Sequence, residues 1–334
     1  MKVHFKGTRG SIPICPSAQD IKEKVVASLL AARGKELRSE GQIREFVDKN
    51  LPFQHSSSWG GNTPCVHIDT KSEDYLIFDG GSGLRVLGKE IMENNGSPGK
   101  TFHIFVSHFH YDHIQGIPFF IPAYIPGNKI VFHGGHKHLK QSLLDQMKPP
   151  FFPIDFSAFQ AETKFEVHTP GDQISVCNSN ITLVEQDHPG VSYGYRIESN
   201  GVSVVYSTDA EHKNSAHCKN YPFVDFIRNA NLLIFDAPYT HSQSIGIREH
   251  WGHSSNIMGV ELAARAEVDT LAIFHHDPGA SDGEMEEFLG HTKKFLERSR
   301  IAVRETRPGI PGSPSPRTHP KEVIMAYDGL SLSL

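Results

Sequence analysis

An apolar run, residues 102–106, ends in Ser107-His108-Phe109-His110-Tyr111-Asp112-His113, with three imidazoles and a carboxylate inside six positions. These are the donors of zinc and related divalent ions, and crowding them costs stability unless a cation holds them. At a strand end His108 and His110 point to one side, and the turn that follows brings Asp112 and His113 round to a second ion. Four donors do not complete two ions, so the fold must deliver further ligands to the same place. Three other apolar runs close on such donors: 181–186 before Asp187-His188, 204–207 before Thr208-Asp209, and 271–274 before His275-His276. Strand alternation lets only one of the His275-His276 pair face the metals.

The remaining pattern says what kind of fold gathers these ends. Short apolar runs bounded by Gly, Pro, Asn or Asp predict strands at 64–69, 75–79, 102–107, 129–133, 181–186, 202–207, 231–236, 270–275 and 323–327. Helical patterns at 83–94, 136–147, 221–229, 255–267 and 283–299 alternate with them, which means layered α/β, read as one domain over 1–334. Ser254 or Ser255 suits the N-cap of the helix at 255, and Ser281 with Glu284 has capping-box spacing. Residues 18–50, with seven Lys/Arg against six Asp/Glu, read as an inserted helical pair or lid in an early hairpin spanning residues 3–70. The Phe-rich stretch 149–160 reads as a packed cover, and the Pro/Gly/Ser-rich stretch 307–320 as an irregular surface loop. His133, His136 and His138 read as solvent-exposed turn residues before a helix.

Charge and cysteine content narrow the function classes. Lys and Arg number 33 against 38 Asp and Glu, a formal charge of −5, so the chain does not grip polyanions through its overall field. Cys15, Cys65, Cys177 and Cys218 form no C-x-x-C pair, which argues against a zinc ribbon or disulfide framework and for a reducing cytoplasm. The N-terminus shows no signal-peptide pattern, and no run of eighteen apolar residues predicts a membrane span.

Taken together, the motifs resemble the metallo-β-lactamase fold, in the phosphodiesterase branch that includes ribonuclease Z and the cyclic-phosphate hydrolases. The resemblance covers nearly the whole chain. It rests on Gly7-Thr8-Arg9-Gly10-Ser11, Gly60-Gly61-Asn62-Thr63-Pro64-Cys65, Phe78-Asp79-Gly80-Gly81-Ser82-Gly83, the segment 107–113, Ser207-Thr208-Asp209, Trp251-Gly252-His253-Ser254-Ser255 and His275-His276-Asp277-Pro278. It implies an αββα four-layer sandwich with an inserted helical segment near the N-terminus. It further implies a first ion on His108, His110 and His188, a second on Asp112, His113 and His275, and a bridging Asp209. Antibiotic-hydrolysing members commonly carry Cys near the Asp209 position, so Asp there favours the phosphodiesterase branch. His253 is implied as the leaving-group acid that contacts the scissile phosphate, with Ser254 expected to bind substrate alongside it, and Asp236 as its orienting carboxylate where ribonuclease Z usually has Glu.

Two divalent ions roughly 3.5–4 Å apart would supply a bridging hydroxide and bind non-bridging phosphate oxygens. Their four charges, less the hydroxide and the carboxylates of Asp112 and Asp209, leave about +1, so an acidic chain can hold a locally cationic site. Zinc is the expected metal; manganese and iron suit the same donors. The helix start after His253 offers free N–H groups to a phosphate. A ribonuclease Z that reads tRNA needs a basic exosite, and neither 18–50 nor 149–160 supplies one. The expected substrate is therefore a small or cyclic phosphodiester, with large nucleic acid ranked below it and no membrane partner. The segment 118–124 is a candidate stacking wall, His212, His241 and His250 are candidate substrate contacts, and a homodimer is left open. The alternatives are a tRNA 3′-end endonuclease, a lactone or thioester hydrolase, and a non-catalytic binding module of the same fold.

Overall fold

The computed structural model describes residues 1–94, 98–244, 248, 250–306 and 320–334; the stretch 307–320 lies, apart from Pro320, outside them. Among the described residues, one sheet contains β1 (Lys2–Gly7), β2 (Cys65–Asp69), β3 (Tyr75–Phe78), β4 (Thr101–Phe105), β5 (Lys129–Gly134) and β6 (Glu162–Val167). The other contains β7 (Ile174–Val176), β8 (Ser179–Gln186), β9 (Ser192–Ser199), β10 (Val202–Ser207), β11 (Leu232–Asp236), β12 (Thr270–Phe274) and β13 (Glu322–Met325). The chain returns to the first sheet as β14 (Ser331–Ser333), antiparallel to β1.

Period-two alternation sorts each strand's side chains between two cores. Phe102 and Ile104 of β4 pack outward with Leu84, Leu87 and Ile91 of helix Gly83–Glu93, whereas Phe105 turns inward. In β11, Leu233 and Phe235 face the helix Asn256–Arg265, and Leu232 and Ile234 meet Phe5, Phe78 and Phe105 between the sheets. Each such fully buried side chain contributes roughly 1.5–3 kcal/mol. Helix, sheet, sheet and helix thus stack as αββα, the architecture expected from the motifs. Every run predicted as a strand lies on one, whereas β6, β7, β9 and β14 fall outside the predicted runs.

Between β1 and β2 lie three helices, α1 (Ala18–Ala32), α2 (Glu40–Asn50) and the single turn Phe53–Ser56, the first two each opened by a capping box, Ser17 with Asp20 and Ser39 with Gln42. No residue of α1 is buried, and Lys24 Nζ ties it to Asp282 at 2.6 Å. Within 149–160, Phe159 is buried and Phe156 packs on it and on Phe132, while Phe151 is exposed. Of the expected exposed turn histidines, His133 is instead fully buried on β5, His136 is buried after it, and His138 is exposed. Parallel strands flank β5 on both sides and extend it to Gly134, past the point where the Gly-Gly pair suggested a turn.

Parallel pairing of β3 with β4 and of β4 with β5, and likewise of β10 with β11 and of β11 with β12, brings the C-terminal ends of each group to one edge. There the residues following β3, β4, β8, β10, β11 and β12 meet between the sheets.

Candidate metal centre

Two ligand clusters form at that edge. In the first, His108 Nε2 lies 2.9 Å from His110 Nδ1, and His188 Nε2 lies 3.1 Å from the same atom. In the second, His113 Nε2, His275 Nε2 and Asp112 Oδ2 are mutually 3.1–3.3 Å apart. Asp209 spans both. Its Oδ1 is 3.1 Å from His113 Nε2 and 3.3 Å from His275 Nε2, and its Oδ2 is 3.6 Å from both His108 Nε2 and His188 Nε2.

These distances fit cations better than a hydrogen-bond network. Donor atoms about 2.0–2.1 Å from a tetrahedral ion sit about 3.3 Å from one another. Electrostatics agrees: burial lowers the pKa of His108, His110 and His188, which leaves three neutral lone pairs converging. Burial would likewise lower His113 and His275, yet Asp209 and Asp112 overcome it and raise both. The second cluster is thus anionic enough to demand a proton or a metal ion.

The backbone supports this convergence at a cost. Asp79, Asp209 and His275, each at or just past a strand end, have φ of 59°, 45° and 61°, a left-handed conformation worth roughly 1–2 kcal/mol apiece for an L-residue. Such turns swing the side chain off the sheet and into the centre. Asp79, fully buried, accepts from His113 Nδ1 at 2.7 Å, Ser107 Oγ at 2.8 Å and Tyr206 Oη at 2.7 Å, which fixes Nε2 of His113 as the ligand atom. His188 Nδ1 donates to the Gly252 carbonyl at 2.8 Å, leaving its Nε2 for the cluster. His276 points away, with Nε2 2.6 Å from the Ala326 carbonyl.

Gly252 has φ +82°, and a Cβ there would meet His188 Nδ1 at 2.3 Å. Gly252→Ala should displace His188 and weaken metal binding roughly 10–100-fold, as loss of a ligand's orienting partner does. Competition with a chromogenic chelator measures this, and unchanged affinity would detach His188 from the metal.

His253 stands beside the clusters, its Nδ1 3.0 Å from Asp236 Oδ2. Asp236 also accepts from Ala210 N at 3.0 Å, and its Oδ1 lies 3.4 Å from His275 Nδ1. One buried carboxylate therefore orients His253 and places its negative charge beside the ligand His275. Burial opposes protonation of His253, but Asp236 and then Asp209 outweigh it and raise its pKa. A cleft of about 510 Å³ opens beside it, walled partly by His212, Lys213, His241, His250 and Ser254.

Two expectations need correction here. The Ser254 hydroxyl donates to the Ala210 carbonyl at 2.6 Å, so its proton is committed within the protein. The helix start is not free either. Asn256 N reaches Tyr239 O at 3.3 Å, Ile257 N reaches Asn256 Oδ1 at 2.9 Å, and Met258 N reaches the capping Ser255 Oγ at 3.3 Å. The segment 118–124 divides: Phe120 is buried, whereas Phe119 is 52% exposed. Sequence reasoning missed Tyr206, whose position mid-strand carries no signal that its hydroxyl crosses to Asp79 on the other sheet.

An αββα sandwich with His/Asp clusters at its strand-end edge defines a metal-dependent hydrolase. The "Beta-lactamase superfamily domain" profile matches residues 76–276, and the chain belongs to that superfamily. It is 25% identical over 284 residues to ribonuclease Z of Thermoplasma acidophilum, covering 72% of this chain and 86% of the relative. Its fold is similar to the metallo-beta-lactamase fold protein YhfI from Bacillus subtilis, with TM-score 0.59, 17% identity and coverage of 99% and 98% of the two chains. Human tRNase Z, short form, gives TM-score 0.56 at 14% identity over 100% and 99%.

Proposed function

We propose that this hydrolase is a dinuclear phosphodiesterase, acting on a small or cyclic phosphodiester with His253 protonating the leaving group. His108, His110, His188 and Asp209 would hold one ion, and Asp112, His113, His275 and Asp209 the other. When bound, such ions, zinc first among them and manganese or iron next, supply a water nucleophile at neutral pH and hold phosphate oxygens. The observation that carries the reading is the Asp236–His253 pair at 3.0 Å beside both clusters. Asp236 keeps Nδ1–H of His253 engaged, so the acidic proton is presented from Nε2. Asp112 accepts from Ser11 N at 2.7 Å, which orients the carboxylate toward His113 and His275.

Size and charge of the cleft support a small ester. Its lysine, Lys213, is paired with Asp187 at 2.6 Å. Arg248 nearby is paired with Asp277 and packs over Tyr239 and Trp251. Aromatic surface flanks the centre: Tyr111, between two ligands in sequence, is 73% exposed and Trp251, next to Gly252, is 55% exposed. Both offer flat faces to a nucleobase. The relatives named ribonuclease Z favour a second reading, a tRNA 3′-end endonuclease.

The free cysteines support a cytoplasmic setting, and none of the described helices is long and apolar enough to cross a membrane. An exposed row of Ile21, Val25 and Leu29 on α1 supports a homodimer. The deciding experiment is a panel of 2′,3′- and 3′,5′-cyclic nucleotides, linear dinucleotides, precursor tRNA, and acyl-homoserine lactones and thioesters with defined metals. Cyclic or dinucleotide turnover is expected. Cleavage of precursor tRNA alone moves the chain to the second reading, turnover of lactones or thioesters alone to acyl-bond hydrolysis, and no turnover with metal bound to a binding module.

A further inference from the structure

Away from the centre, imidazoles line up across the edge of the first sheet. The parallel register sets Phe105 beside His133 and His133 beside Glu166. Alternation adds His103 and His168 to the same face. His133 is fully buried and stacks on Phe105 with ring centroids 4.2 Å apart. Its Nε2 lies 2.9 Å from His103 Nδ1, and its Nδ1 lies 3.0 Å from His168 Nε2 and 3.5 Å from Glu166 Oε2. The three donor atoms of His133, Glu166 and His168 all fall within 4.8 Å of one another.

We infer that His133, Glu166 and His168 form a separate site for a divalent transition metal, zinc or one of its class, that clips edge strand β6 to β5. Edges of 3.0 and 3.5 Å bracket the spacing of about 3.3 Å that a tetrahedral ion with 2.0–2.1 Å bonds requires. His103 makes the tautomer right: Nε2–H of His133 donates to His103 Nδ1, which leaves a lone pair on Nδ1 of His133 for the ion. Glu166 is exposed and His168 half-buried, so the ion enters from solvent and keeps a water as its fourth ligand. The clip has work to do. Strand β6 is an edge strand whose side chains are exposed or half-buried throughout, so it gains little from burial and relies on its ladder to β5. The site shares no residue with the two clusters of the centre.

The test counts metal. The full chain, stripped with chelator, reloaded with Zn²⁺ and desalted, is compared with His168→Ala and Glu166→Gln by elemental analysis. Each variant should carry one equivalent less than the wild-type chain, whatever the wild-type total. Each should also lose part of the Zn²⁺-induced rise in Tm, with turnover at the main centre unchanged. Both positions lie toward solvent and Glu166→Gln is isosteric, so folding, checked by circular dichroism, is expected to persist. Wild-type metal counts in both variants would overturn the site. Because the readout is a difference, failure of the dinuclear assignment at the main centre leaves it intact.

Discussion

Replacing Asp209 with alanine should strip metal from both clusters and lower turnover by on the order of 10³-fold or more, since metal assistance supplies several kcal/mol and each decade takes 1.36 kcal/mol. The magnitude follows from one side chain serving two sites. Its Oδ1 faces His113 and His275, and its Oδ2 faces His108 and His188. Losing it leaves each cluster with three of its four protein donors and removes half of the carboxylate charge that Asp112 and Asp209 supply. Asp209 is 2% exposed, so water does not restore the missing charge. Asp209→Asn keeps the shape and removes the charge, and it should fail nearly as badly. Two readouts separate a metal ligand from a structural ion pair. A ligand's loss removes the part of the Zn²⁺-induced rise in Tm that the two clusters supply, whereas a structural pair's loss lowers the Tm of the metal-free chain and leaves the full rise in place. Wild-type metal content with turnover within tenfold of wild type would remove Asp209 from the centre.

The centre was legible in the sequence to an uneven degree, and the reasons are physical. His108, His110, Asp112 and His113 lie within six positions, and a strand followed by one helical turn is enough to aim them. His188, Asp209 and His275 could be located because an apolar run closing on a donor marks a strand end, and parallel strands bring their ends together. That Asp209 and His275 adopt φ of 45° and 61° was not legible, because nothing in their own side chains demands it; the surrounding clusters impose it. The bond from Tyr206 to Asp79 joins residues 127 positions apart and exists only once the sheets are packed. Strand β6 escaped because ETKFEV holds two apolar residues, as suits an edge, and β9 because Gly194 and Arg196 alternate with Tyr193, Tyr195 and Ile197 and leave no continuous apolar run. His133 was misread for a related reason: its burial comes from neighbours on β4 and β6, not from the glycines that follow it. The free helix start failed as an expectation because Tyr239, Asn256 and Ser255 satisfy its N–H groups.

His253→Ala should slow hydrolysis of an ester with a poor leaving group by roughly 10²–10⁴-fold, the usual contribution of a positioned general acid, while leaving bound metal at the wild-type level. The leaving group is the lever. A nucleoside alkoxide departs only with a proton, so it should lose the full factor. The p-nitrophenolate of bis(p-nitrophenyl) phosphate needs little protonation, so that substrate should lose markedly less. A role in positioning phosphate alone would slow both substrates equally. The pH dependence carries a sign as well. Asp236 raises the pKa of His253 against the effect of burial, so the acid is protonated below that pKa and turnover of the poor leaving group falls as pH rises through it. Asp236→Asn removes the charge that favours the imidazolium. The alkaline limb should then move to lower pH, and turnover at neutral pH should drop even with the hydrogen bond partly preserved. His253 Nδ1 also lies 4.0 Å from Asp209 Oδ2, within reach of a competing part as a metal ligand. Loss of metal in His253→Ala would establish that part instead, and full turnover of the poor leaving group would remove His253 from the chemistry.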